Sequence, residues 1–101
     1  MSVNMIVSRL ISAVECELDR TGYRVVEAGQ IGNARMVGET TARRIIHNED
    51  LDTRNLEYLE SLDTDTWRDQ FISAYEASWI CNLLYAVYDA YCETCQPVKV
   101  K

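Results

Sequence analysis

Proline, glycine, histidine and lysine are all scarce in this chain: one Pro, four Gly, one His and two Lys among 101 residues. So little Pro and Gly, beside 48% apolar residues, excludes a low-complexity or disordered chain and leaves ample material for one core. At this length the expectation is a single domain over residues 1–101. Cations are too few for a general nucleic-acid binder. The formal net charge is −6 and the pI about 4.6, whereas phosphate contacts need clustered Lys and Arg. Long hydrophobic runs are missing as well. The most apolar stretch, Trp79 to Cys92, is 14 residues long and holds Asn82 and Asp89, too short and too polar to span a bilayer. The opening "MSVNMIVSRLISAVECELDR" is no signal peptide, because Arg9 interrupts its apolar run and charges close it. The expectation is therefore a cytoplasmic protein with no membrane contact and four reduced cysteines.

Catalytic motifs are absent too. No nucleophile elbow, Walker-type loop or dinucleotide-binding glycine pattern occurs. His47, in "RRIIHNED", lies where a helix should end and reads as a cap or dipole partner rather than a base. Cys92 and Cys95, in "CETC", have metal-ligand spacing, but a zinc site needs about four ligands and the second pair is missing. A thioredoxin-like reading fails because the pair closes a helix, where the dipole works against a thiolate. The reading is no enzyme and no cofactor, with a zinc or thiol protein using Cys92 and Cys95 kept as an alternative.

What is present is helical periodicity. Val3, Ile6, Val7, Leu10, Val14 and Leu18 mark one face of a helix over about 3–20, closed by Gly22. Ala34, Val37, Ala42, Ile45 and Ile46 predict a second over about 33–47. Tyr23 to Gly32 stays open, and a short hairpin near 23–38 would make the fold α+β. Asp52 or Thr53 caps a third helix through Leu62, with Leu56, Leu59 and Leu62 inward and Glu57 and Glu60 outward. Thr64 or Asp65 caps a last helix running to near Cys95, with Pro97 as its stop; Thr66 to Cys92 alone would extend about 40 Å. The expected fold is all-α: about four helices built around a long C-terminal one that is either central or partly a contact surface.

Charge is localised. Residues 49–69, "EDLDTRNLEYLESLDTDTWRD", hold eight carboxylates and two arginines, a formal −6 that equals the whole chain's. Some of these acids are expected as caps. As a set, Glu49, Asp50, Asp52, Glu57, Glu60, Asp63 and Asp65 offer a docking surface for a basic partner, because a focused negative potential speeds association and selects the opposite sign. Such a row of carboxylates can also imitate nucleic-acid phosphates. Aromatic residues Trp67, Phe71, Tyr75, Trp79, Tyr85, Tyr88 and Tyr91 gather on the last helix, mostly as core. Trp67 and the tyrosines Tyr85, Tyr88 and Tyr91, at three-residue spacing, are the candidate anchors of a contact, with a second copy or another protein.

Arg35, Arg43 and Arg44 form a modest basic patch. The stretch "AGQIGNARMVGETTARRII" is similar to a helix-turn-helix, but the required apolar position holds Gly38, with Val37 beside it, so the register fails. A DNA-binding regulator is thus an alternative, as is a small structural homodimer; intramolecular pairing of these arginines with the acidic segment is another reading. The favoured function is a non-enzymatic binding module, an inhibitor or modulator docking on a basic, nucleic-acid-handling protein such as a nuclease, with no direct nucleic-acid contact. In general character, though in no motif, the chain resembles inhibitors that phages and mobile elements direct against host nucleases.

Overall fold

The computed structural model describes residues 3–49, 52–72 and 79–100. They form five helices and a two-stranded ribbon: α1 (Val3–Arg20), β1 (Tyr23–Arg24), α2 (Ala28–Asn48), α3 (Thr53–Ser61), α4 (Thr64–Ile72), α5 (Trp79–Cys95) and β2 (Val98–Lys99). The fold is all-α, as its periodicity predicts. Its Cα radius of gyration, 13.3 Å, is that of a compact chain of this length.

α1 is the hub, packing against each of the other four helices and β1. It can do so because it buries two adjacent rows, Ile6, Leu10, Ala13 and Glu17 beside Val7, Ile11, Val14 and Leu18. Gly22, at φ 84°, ends it in the left-handed turn expected there, its amide donating to the Asp19 carbonyl at 3.1 Å. The central position expected of the C-terminal helix therefore belongs to α1. That C-terminal helix is described as two, α4 and α5. Residues 73–78, where they would join, and Tyr75 with them, lie outside the described residues, as do the side chains of Phe71 and Trp79.

No hairpin forms within residues 23–38. β1 instead pairs antiparallel with β2 near the other end of the chain, Tyr23 opposite Lys99 and Arg24 opposite Val98. The Val100 amide extends the ladder to the Gly22 carbonyl at 2.8 Å. α2 starts at Ala28 rather than Asn33, so Gly29 and Gly32 are helical, with open space where a Cβ would stand. Its buried row is Ala34, Gly38, Ala42 and Ile46, small residues four apart that let it approach α1 and α5 closely. At Gly38 the approach is tightest. A Cβ there would lie 2.7 Å from Ile11 Cδ1 and 3.5 Å from Val87 Cγ1.

α3 and α4 are short and depend on their ends. The Asp52 carboxylate accepts from the Asn55 amide at 2.8 Å and caps α3. The cap of α4 is Asp63 rather than Thr64 or Asp65: its Oδ1 accepts from both the amide and the hydroxyl of Thr66, each at 2.8 Å. Arg9, projecting from α1, donates to the carbonyls of Glu60 and of Leu62, the latter at 3.2 Å. It thereby satisfies acceptors that the end of α3 leaves open. Leu59, Leu62 and Trp67 enter the core alongside it.

The three helical glycines should separate cleanly in equilibrium unfolding. Gly32→Ala is expected to stabilise by about 0.5–1 kcal/mol, since it adds helix propensity and meets nothing. Gly38→Val should destabilise by about 1–3 kcal/mol through overpacking. Ile11→Val removes the Cδ1 atom, so combined with Gly38→Ala it should cost less than the two single changes added together. Strict additivity would show that the close approach at Gly38 does not constrain the fold. A second expectation concerns Arg9: Arg9→Met should cost about 1–2 kcal/mol, with amide-exchange protection falling first in α3. Uniform loss across all helices would argue against its capping role.

Candidate functional site

The acidic segment folds into α3, α4 and the turns before them, and the capping geometry divides its carboxylates into two groups. Asp52 and Asp63 are exposed yet committed to backbone amides. The bonds from Thr66, amide first and hydroxyl second, hold the Asp63 carboxyl below the usual aspartate value. Asp65 sits in the first turn of α4, where the helix dipole favours an acid. Glu49, Glu57, Asp65 and Asp69 are exposed, and Glu60 is half-buried. Asp50 lies outside the described residues. Leu56, Leu59 and Leu62 face inward as predicted, which turns Glu57 and its neighbour Tyr58 outward.

Tyr58 is the residue that sequence reading missed. It is 55% exposed, an aromatic ring next to the exposed Glu57 and turned away from Leu56 and Leu59. The leucine spacing held little signal for it: Leu62 lies four residues on, the same-face spacing, and only the end of α3 at Ser61 takes Leu62 out of that register.

The anchors named from sequence fare differently. Trp67 is fully buried, and its indole N–H has no hydrogen-bond partner among the described residues. It is a core residue of α4, not a contact surface. Tyr91 is 2% exposed and donates its hydroxyl to Glu15 Oε2 at 2.7 Å. The same oxygen accepts from Arg35 Nε at 2.9 Å, so one carboxylate on α1 ties α2 and α5 together. Tyr88 is half-buried and Tyr85 is 39% exposed, on the outer stripe of α5 with Asn82, Asp89 and Glu93. The reason is geometric. A step of three residues falls about 60° short of a full turn, so Tyr85 and Tyr91 stand about 120° apart and cannot share a face.

Among the described residues, no ion pair joins the arginines of the basic patch to the acidic segment. Arg35 pairs with Glu15, while Arg43 bonds Asn4 Oδ1 at 3.0 Å and approaches Glu39 at 3.6 Å. Arg44 is exposed. These contacts stitch α2 to α1, and the pairing with the acidic segment weighed from sequence is replaced by pairing with Glu15 and Glu39. His47 sits exposed in the last turn of α2, where a cation favours the dipole.

Cys92 is half-buried and Cys95 buried in the last turn of α5. Burial, then the neighbouring Cys95 thiol, pushes Cys92 up to about 11, and burial raises Cys95 as well. Both are thiols rather than thiolates near neutrality, which slows attack on a disulfide. Among the described residues no three His, Cys, Asp or Glu side chains converge as metal ligands. No helix among them is long and apolar enough to cross a membrane. No protein-family model, curated protein or solved structure matches this chain.

Alkaline stability follows from the buried hydroxyls and thiol. Burial, first among the causes, holds Tyr88 up to about 12 and raises Tyr91 further still, with the bond to Glu15 reinforcing it. Each group keeps its proton to higher pH folded than unfolded, so its contribution is complete below about pH 9 and declines as pH rises through about 12. Urea midpoints should therefore fall between pH 8 and pH 11. Tyr91→Phe should cost about 1–2 kcal/mol at pH 8 and show a shallower decline. A flat profile in the parent chain, or an equal slope in the variant, would refute the assignment.

Proposed function

We propose that this chain is a non-enzymatic protein-binding module, an inhibitor or modulator, whose α3–α4 face docks on a basic surface of a nucleic-acid-handling protein. The observation that carries the reading is one exposed aromatic residue in a segment of exposed carboxylates: Tyr58 beside Glu57, with Glu49, Asp65 and Asp69 exposed in the same segment. Contacts of this composition gain most of their energy from a central aromatic residue, while the surrounding charges set encounter rate and partner choice. The arginines seen in ion pairs, Arg20, Arg35 and Arg43, engage Glu17, Glu15 and Glu39 on α1 and α2. Glu49, Glu57 and Asp69 are exposed outside these pairs, where a cationic partner would meet them. Binding would act by occupying the partner's cationic cleft, with carboxylates standing in the places of phosphates.

The test is affinity capture from lysate of the source cells under reducing conditions, at about 0.1 M and about 0.5 M salt, which shortens the screening length about two-fold. Two variants accompany the parent chain. One combines Glu49→Gln, Glu57→Gln and Asp69→Asn, sparing Asp52, Asp63 and Asp65, which support the ends of α3 and α4; the other is Tyr58→Ala. The expected result is a basic protein retained at low salt, lost at high salt and lost by the charge variant. Tyr58→Ala should weaken capture about five-fold or more. Retention that neither salt nor the charge variant changes would overturn the reading, as would the absence of any retained protein.

A further inference from the structure

A cavity of about 360 Å³ opens where the start of α2, the end of α5 and β2 meet, away from the acidic segment. Val26, Glu27, Gln30, Cys95, Gln96 and Val98 line it. That volume is at the small end of ligand sites, and its wall combines apolar surface with a few polar groups in the manner such sites share. We propose that this cavity binds a small organic cation, an alkylammonium or alkylguanidinium group, with Glu27 as its counter-charge.

The polar inventory decides the sign of the ligand. Among the described lining residues Glu27 is the only charged side chain, and although it occupies the N-cap of α2 its carboxylate makes no capping bond. It is therefore available to a ligand. Thr94, also in the wall, commits its proton to the Ala90 carbonyl at 3.0 Å, so its oxygen can only accept from anything in the cavity. Gln30 and Gln96 each add an amide oxygen. The last turn of α5 carries no basic residue to answer its terminal carbonyls. Opposing these, the α2 N-terminus contributes about half a positive charge, which the C-terminal end of α5 offsets with about half a negative one. The full charge of Glu27 then sets the balance.

The apolar inventory decides the ligand's shape. Val26 and Val98 are 70% and 45% exposed, flanking the opening, and a hydrocarbon stem lying between them would take both from water. Behind them the Cys95 thiol is 7% exposed and forms an uncharged wall. Gln96 holds left-handed backbone, φ 45°, where glycine would be free of strain, and so carries its amide to the rim of the cavity.

The experiment is a titration of the full-length, nitrogen-15-labelled chain followed by amide chemical shifts. The probes are n-butylammonium and n-butylguanidinium, with n-butanol as the uncharged isostere and an end-blocked Gly-Arg-Gly peptide as a protein-borne source of the same group. Both cations should shift amides of residues 26–31 and 94–98 with a Kd on the order of millimolar. n-Butanol should bind more weakly, and Glu27→Gln should reduce cation affinity about two- to five-fold, since an exposed ion pair is worth little more. Glu27 makes no capping bond, so that variant is expected to keep the parent chain's spectrum elsewhere. If the peptide binds about ten-fold tighter than the free cations, the source is a basic protein; if it binds no better, the source is a small amine or guanidine. Shifts confined to residues 49–69, equal binding of n-butanol, or an unchanged Kd in Glu27→Gln would each overturn the proposal.

Discussion

The rest of the structure depends on how closely α2 can lie against α1 and α5, and that is set at Gly38. With Ile11 Cδ1 2.7 Å from where a Cβ would stand, only hydrogen fits without a neighbour moving. Ala34 and Ala42, one helical turn to either side, keep the same narrow profile. The consequence reaches further than packing. Close approach is what brings Arg35 on α2 and Tyr91 on α5 to one oxygen of Glu15 on α1, a junction of three helices at a single carboxylate. Small residues thus provide the clearance, and a polar contact fixes the register at which it is used.

α1 carries the second constraint. Ile11, in its buried rows, meets α2 at Gly38, while Arg9, on the flank, reaches the carbonyls that close α3. α3 and α4 have nine residues each, short for helices that must hold by propensity alone. What holds them is capping by Asp52 and Asp63, the carbonyl contacts of Arg9, and burial of Leu59, Leu62 and Trp67. The acids of this segment are therefore partly architectural, and among the described residues Glu49, Glu57 and Asp69 lie exposed beyond the caps.

Legibility from sequence followed hydrophobic contrast. α1 could be read to its termini because Ile, Val and Leu recur every three or four residues and a glycine closes the helix. α3 was equally clear, with three leucines and an Asp cap. α2 was not, because its buried row is Ala, Gly and Ala, which carry almost no hydropathic contrast, and because Gly29 and Gly32 imitate a turn. Val37 drew attention to the wrong side of that helix; it is 37% exposed while Gly38 beside it is buried. The β1–β2 pairing was illegible for another reason. Two-residue strands at opposite ends of the chain leave no periodicity to detect. At the site, charge localisation was visible at once, but which tyrosine faces outward needed the rotation of the helix rather than the residue count.

The acidic face also bears on stability. Eight carboxylates within 21 residues, with only two arginines to offset them, repel one another, and such repulsion raises the energy of the compact state. Dipole and caps offset part of this at Asp52, Asp63 and Asp65, leaving Glu57 and Asp69 as outward charges on two short helices. A cationic partner would relieve that repulsion, so its binding energy and the stability of α3 and α4 are linked by mass action. The same linkage means that salt acts in two opposite directions. It would stabilise the isolated chain by screening repulsion between its own carboxylates, and would weaken a complex with a cationic partner by screening their attraction. A face that is least comfortable alone at low ionic strength is, on that account, the face whose occupation stabilises the protein most.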